Sequence, residues 1–120
     1  NTSDNELVDL KIINRLITMA EDDPTFLQSL ILLYSKQSQE TIDEIIQSYR
    51  SDELTALAQA AHKLKGSSLN MGAKVVALYC KTIEEAALNE DRKSLKEPVE
   101  NILVQYQKTL LALKKITGVK

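Results

Sequence analysis

The chain's single histidine lies in the run AHKLKGSSLNMGA, residues 61 to 73. His62 is followed closely by Lys65, Gly66, Ser67 and Ser68. A neutral imidazole is a nucleophile that titrates near physiological pH. On a helix the surface neighbours of a residue lie three and four positions away, here Ala58, Gln59, Lys65 and Gly66. Lys65 brings an ammonium toward any anion the ring carries. Ala58 and Gly66 are small and share one line along the helix, which leaves the ring clear of its surroundings. An exposed imidazole beside a cation suits a nucleophile that must enter another protein's pocket. Gly66 costs about 1 kcal/mol of helix stability relative to Ala, and access to His62 is the reason the pattern offers. A lone histidine at the edge of an apolar stripe is more often packed or solvated, and a glycine also permits close helix packing. Only the combination points to chemistry.

These residues need a helix to position them. At 100° per residue, Leu54, Leu57, Ala61 and Ser68 point inward and His62 falls at the margin between core and solvent. The same periodicity predicts a first helix over about residues 5–20, carrying Leu7, Leu10, Ile13 and Ile17. A second spans roughly 24–49, with Asp23 as cap and Pro24 at its first position. The histidine helix covers about 52–70, with Ser51 or Asp52 as cap, and the next about 73–88. A last helix over about 94–116 opens on a Ser94/Glu97 capping box, with Pro98 just inside it. Short connections between long amphipathic helices imply antiparallel neighbours. The expected fold is all-α, an antiparallel up-and-down four-helix bundle with an additional N-terminal helix, in one domain.

Composition agrees. The chain is 43% hydrophobic, with no Trp, one Phe and four Tyr, so its core must be mainly aliphatic. Three Gly and two Pro supply too few turns for a sandwich or barrel. A net charge of -2 argues against nucleic acid as a partner. No acid occurs between Glu53 and Glu84, where Lys63, Lys65, Lys74 and Lys81 all fall. That local basic field fits an anionic ligand or partner, or else a solvated lysine face. Cys80 is the only cysteine, which excludes an internal disulfide, fits a reducing compartment and, on an apolar stripe, reads as core. No apolar run approaches the ~18 residues of a membrane span, and the N-terminus lacks the pattern of a signal peptide. A start at Asn1 rather than Met suggests a module excised from a longer chain.

The run His62-Lys63-Leu64-Lys65-Gly66-Ser67-Ser68, with Gly72-Ala73 after it, resembles the signature of histidine-containing phosphotransfer (HPt) domains. DDPTFLQSLILLYSKQS and ALYCKTIEEAA resemble other segments of that family, so the likeness covers most of the chain. The resemblance implies that His62 accepts a phosphoryl group from the aspartyl phosphate of a receiver domain and passes it to the aspartate of a second receiver. It implies that Lys65 offsets the phosphoryl charge, that Gly66 gives the partner access, and that Ala58, Gln59, Lys63, Ser67 and Leu69 form the docking surface. Magnesium is then expected in the partner receiver, with no metal or cofactor in this chain and no kinase activity of its own. Receiver domains of response regulators and of a hybrid kinase are the expected partners, with no nucleic acid and no membrane contact by this domain. A cytoplasmic monomer is expected, either free or tethered to the inner membrane through a parent bacterial sensor kinase.

Two positions depart from the family pattern. Met71 replaces a commoner branched aliphatic residue, a small change in a core. Glu84 stands where several relatives place a Gln, and since a carboxylate repels phosphate unless it turns away, it receives no phosphate-binding role. Ser68 points inward and is expected to bond back to a helical carbonyl; Ser67 is left to polarise the ring indirectly. Two other functions compete. An autophosphorylating kinase core would carry His-Glu-x-x-x-Pro, but Lys63 occupies the Glu position and no glycine-rich nucleotide loop exists. A docking bundle that binds receivers without phosphotransfer would keep the same motif.

Overall fold

The computed structural model describes residues 3–21, Asp23 and 25–120. Among the described residues six α-helices follow one another: α1 Asp4–Leu7, α2 Leu10–Met19, α3 Phe26–Arg50, α4 Leu54–Asn70, α5 Lys74–Leu88 and α6 Lys96–Thr117. A 3-10 turn at Arg92–Ser94 precedes α6. No strand occurs among the described residues. Helices α3 to α6 form the bundle, each packing on the next and α6 closing back on α3. Its core is aliphatic, as the composition requires: Ile13, Ile31, Ile42, Ile45, Leu57, Leu64, Ile83, Leu95, Ile102 and Leu113 are all fully buried. Each such side chain contributes about 1.5–3 kcal/mol by leaving water.

The N-terminal segment departs from expectation. The single helix over 5–20 is broken into α1 and α2 at Val8 and Asp9, both in extended conformation. Val8 leaves the helix to enter the core at 1% exposure. Asp9 then turns its carboxylate to Lys11 N–H as the cap of α2, while its own N–H donates to the Gly72 carbonyl at 2.7 Å. That bond fastens α2 to the α4–α5 turn. Gly72 has φ +75°, and a Cβ there would lie 3.0 Å from the Asp9 carbonyl oxygen and 3.2 Å from Ile13 Cγ1. Only glycine fits this left-handed turn without strain.

Helix caps also differ from the sequence expectations. Thr25 is the cap residue of α3, and Asp23 accepts hydrogen bonds from the Thr25 N–H and hydroxyl; Pro24 lies outside the described residues. Neither Ser51 nor Asp52 caps α4, which follows Glu53. Asp52 instead forms a bidentate pair with Arg92 at 2.8 and 3.1 Å, tying the α3–α4 turn to the α5–α6 connection. Ser94 is not a cap for α6: its hydroxyl and N–H both bond Asp91. Asp91 thus takes the Ser94 N–H that a capping box would give to Glu97. Pro98 is buried in the first turn of α6, where a missing N–H leaves no helical bond unmade.

Inside the bundle, the Ser68 hydroxyl bonds the Tyr34 hydroxyl at 2.7 Å rather than a helical carbonyl. Both residues are buried, and burial holds the Tyr34 phenol well above its usual range against the weaker pull of that hydrogen bond. The pair fixes how α4 sits on α3, and so how the outer face of α4 is aimed.

Candidate functional site

Helix α4 buries Leu57, Ala61, Leu64 and Ser68 and turns His62 outward, with 69% of its side chain exposed. One turn further on, Gly66 is exposed, and a Cβ built there would meet nothing within 4 Å. Close packing therefore does not explain this glycine. The space beside the ring is open.

The residue that sequence reasoning set aside completes the site. Glu84, on the face of α5 that meets α4, places Oε2 at 2.8 Å from His62 Nδ1. Its other oxygen, Oε1, accepts from Lys65 Nζ at 2.6 Å. The side chains of Glu84 and Lys65 are only 16% and 26% exposed, so the ring rests on a partly sheltered ion pair. The Lys65 ammonium, aided by the His62 ring, holds the Glu84 carboxyl below the usual carboxylate range despite its partial burial. An ionised carboxylate only accepts hydrogen bonds. The proton of a neutral His62 ring is consequently on Nδ1, and Nε2 keeps its lone pair facing solvent. One signal for Glu84 was legible: it is the first acid after Glu53, across a stretch that holds four lysines.

The other expected site residues do not share one surface. Gln59, Lys63 and Leu69 are exposed on α4, with Lys63 leaning toward Glu44 of α3 at 3.7 Å. Ser67 is half-buried, donates its hydroxyl to the Leu64 carbonyl and lines an open groove of ≈ 390 Å³ between α3 and α4. Nothing in its contacts couples it to the His62 ring. Ala58 does not join this surface: at 5% exposure it belongs to the core, because it sits on the inner side of the His62–Gly66 line. Lys65 is held by Glu84 rather than standing free beside the ring.

Cys80 is fully buried, and burial pushes its thiol up to about 12, so it stays a neutral core residue. Among the described residues no group of three or more His, Cys, Asp and Glu side chains is placed to hold a metal ion. No helix among them is long and apolar enough to cross a membrane.

A helical bundle whose one oriented, solvent-facing imidazole is braced by a carboxylate and an ammonium has the build of a phosphoryl-carrier domain. The model of the Hpt domain family matches residues 29–115, and the chain belongs to that family of phosphotransfer relay domains. The phosphorelay intermediate protein YPD1 of Candida albicans is 32% identical over 81 residues, covering 68% of this chain and 44% of that protein. YPD1 of Saccharomyces cerevisiae is 32% identical over 85 residues, covering 70% and 51%. The chain thus spans about half the length of the curated relatives it matches. The fold matches histidine-containing phosphotransfer protein B of Pseudomonas aeruginosa with a TM-score of 0.85 at 23% identity, over 97% of this chain and 98% of that one. The maize phosphotransfer protein ZmHP2 matches with a TM-score of 0.82 at 19% identity, over 94% and 84%. The four-helix bundle expected from periodicity is the architecture these proteins share.

Proposed function

We propose that His62 is the phosphoacceptor, taking a phosphoryl group at Nε2 from a receiver-domain aspartyl phosphate and delivering it to the aspartate of a second receiver. The observation that carries this reading is the His62 Nδ1–Glu84 Oε2 hydrogen bond, which leaves the outward nitrogen nucleophilic. Attack needs that lone pair aimed at phosphorus, and Gly66 leaves the approach open. Lys65, still able to donate from two further ammonium hydrogens, offsets phosphoryl charge at the rim of the site. Phosphoryl transfer depends chiefly on positioning and charge stabilisation, so magnesium and the remaining cations belong to the receiver's acidic pocket and no cofactor to this chain. Gln59, Lys63 and Leu69, with Gly66, form the docking face. The reading implies a monomer working in the cytoplasm, free or tethered through a hybrid kinase that supplies the donor receiver.

The test is transfer from a phosphorylated receiver to the purified domain, followed by mass mapping. The phosphoryl group is expected on His62 alone, in acid-labile linkage, and absent from His62→Gln. ATP and magnesium without a kinase and receiver should leave the domain unlabelled. Robust labelling by ATP alone, or a phosphoryl group on Ser67 or Ser68, defeats the assignment.

A further inference from the structure

We propose that Glu84 keeps the His62 ring protonated at Nδ1 through the whole phosphoryl cycle, so that the carrier state is a phosphoimidazolium paired with a carboxylate. The inference rests on the relay reading and concerns what the ring does once loaded. Before transfer, Nδ1–H is bonded to Glu84 and Nε2 holds a lone pair. That lone pair forms the Nε2–P bond as the P–O bond of the aspartyl phosphate breaks, and its electrons return to the aspartate carboxylate. The ring gains one positive charge, and the charge falls 2.8 Å from Glu84 Oε2. On donation the steps reverse onto the second aspartate, and the leaving group is a neutral imidazole with its Nδ1 proton unmoved. No proton enters or leaves the site in either direction.

The charges around the ring support this. The Glu84 carboxylate is ionised and partly sheltered, with 16% of its side chain exposed, and a hydrogen bond to an ionised partner is roughly twice as strong as a neutral one. A glutamine amide at this position would offer only a neutral acceptor. The opposing group is Lys65, which shares the same carboxylate through its other oxygen. Lys63 on α4 turns to Glu44 of α3, Lys81 and Glu85 of α5 are exposed, and Cys80 beneath is a neutral thiol. One carboxylate therefore sets the protonation of the loaded ring.

The experiment loads His62 chemically with phosphoramidate, which needs no receiver, and follows the ring nitrogens of the folded domain by ¹⁵N NMR against pH. The phosphorylated ring should keep its Nδ1 proton to a pH about one unit or more higher than in Glu84→Gln, the least expected when an opposite charge at contact distance is removed. Lys65→Gln, which frees the carboxylate, should move that pH the opposite way, and it gives the sign even if Glu84→Gln fails to fold. Donation from Glu84→Gln to an unphosphorylated receiver should fall about tenfold per pH unit above its lower deprotonation point, while the parent holds its rate further. Coincident titrations of parent and Glu84→Gln, or a Lys65→Gln shift in the same direction as Glu84→Gln, overturn the inference while leaving the relay standing. Receivers that neither load nor unload a ring titrating as expected would remove the relay and leave the Glu84 effect intact.

Discussion

Glu84 Oε2 lies 2.8 Å from Nδ1 of His62, and this one contact between α5 and α4 determines which ring nitrogen reaches a partner. The carboxylate's second oxygen is spent on Lys65. The three side chains form a bridge with the anion in the middle, and the imidazole is its only freely exposed member.

That bridge makes the domain's stability depend on acidity. The Glu84 carboxyl sits below its usual range because of Lys65 and then His62. A group depressed on folding stabilises above its unfolded pKa, and the contribution is lost as pH falls through the folded value. Glu84→Gln should cost about 1 kcal/mol or less at pH 7, discounted for partial solvation. The difference from the parent should shrink to nothing well below the ordinary glutamate range. Urea melts across the acid range measure it; a cost that persists unchanged at low pH would mean the glutamine disturbs packing instead.

Gly66 tests access. With open space at its Cβ position, Gly66→Ala should stabilise the domain by up to about 1 kcal/mol, the propensity difference in a helix. Gly66→Gln should remain folded and lose most of its receiver-dependent phosphorylation, with a smaller loss in the alanine variant. A glutamine variant that melts and transfers like the parent would leave Gly66 without a functional role.

Gly72 should behave in the opposite sense. Its φ of +75° and the Asp9 carbonyl oxygen, 3.0 Å from where a Cβ would lie, make Gly72→Ala strained, at about 1–2 kcal/mol for the left-handed conformation. Hydrogen exchange should show α2 loosened before the bundle itself. Unchanged protection of α2 would argue that the Asp9–Gly72 bond does not hold it.

Tyr34→Phe removes one hydroxyl from the buried Tyr34–Ser68 pair while keeping the edge-on packing against Tyr106, whose ring centroid lies 6.0 Å away. Stranding the Ser68 hydroxyl should cost about 1–2 kcal/mol, read as a lower denaturation midpoint. Ser68→Ala in the Phe background should recover part of the loss. Additive losses in the double variant would show that the two hydroxyls do not depend on each other.

Much of this protein was legible in one dimension. The four long helices follow from apolar residues at helical spacing, because each helix buries a stripe set by its own period. The exposure of His62 follows from its offset to the Leu57–Ala61–Leu64 stripe, and the freedom beside it from Gly66. What sequence reasoning could not reach depends on pairs far apart in the chain. Val8 breaks the first helix because a core pocket and the Gly72 carbonyl are waiting for Val8 and Asp9. Ala58 was read as surface because it is small and in line with His62, yet the packing of α4 against the bundle buries it. Glu84 receives no role from sequence because a carboxylate near phosphate is unfavourable unless it turns away. Only the docking of α5 on α4 brings that carboxylate between Lys65 and the imidazole, where it accepts from the Lys65 ammonium and holds the ring by Nδ1. Helical periodicity is a local property, so the sequence by itself determined the bundle and the outward histidine; the place of Glu84 between Lys65 and His62 is a property of distances between helices, and tertiary structure decided it.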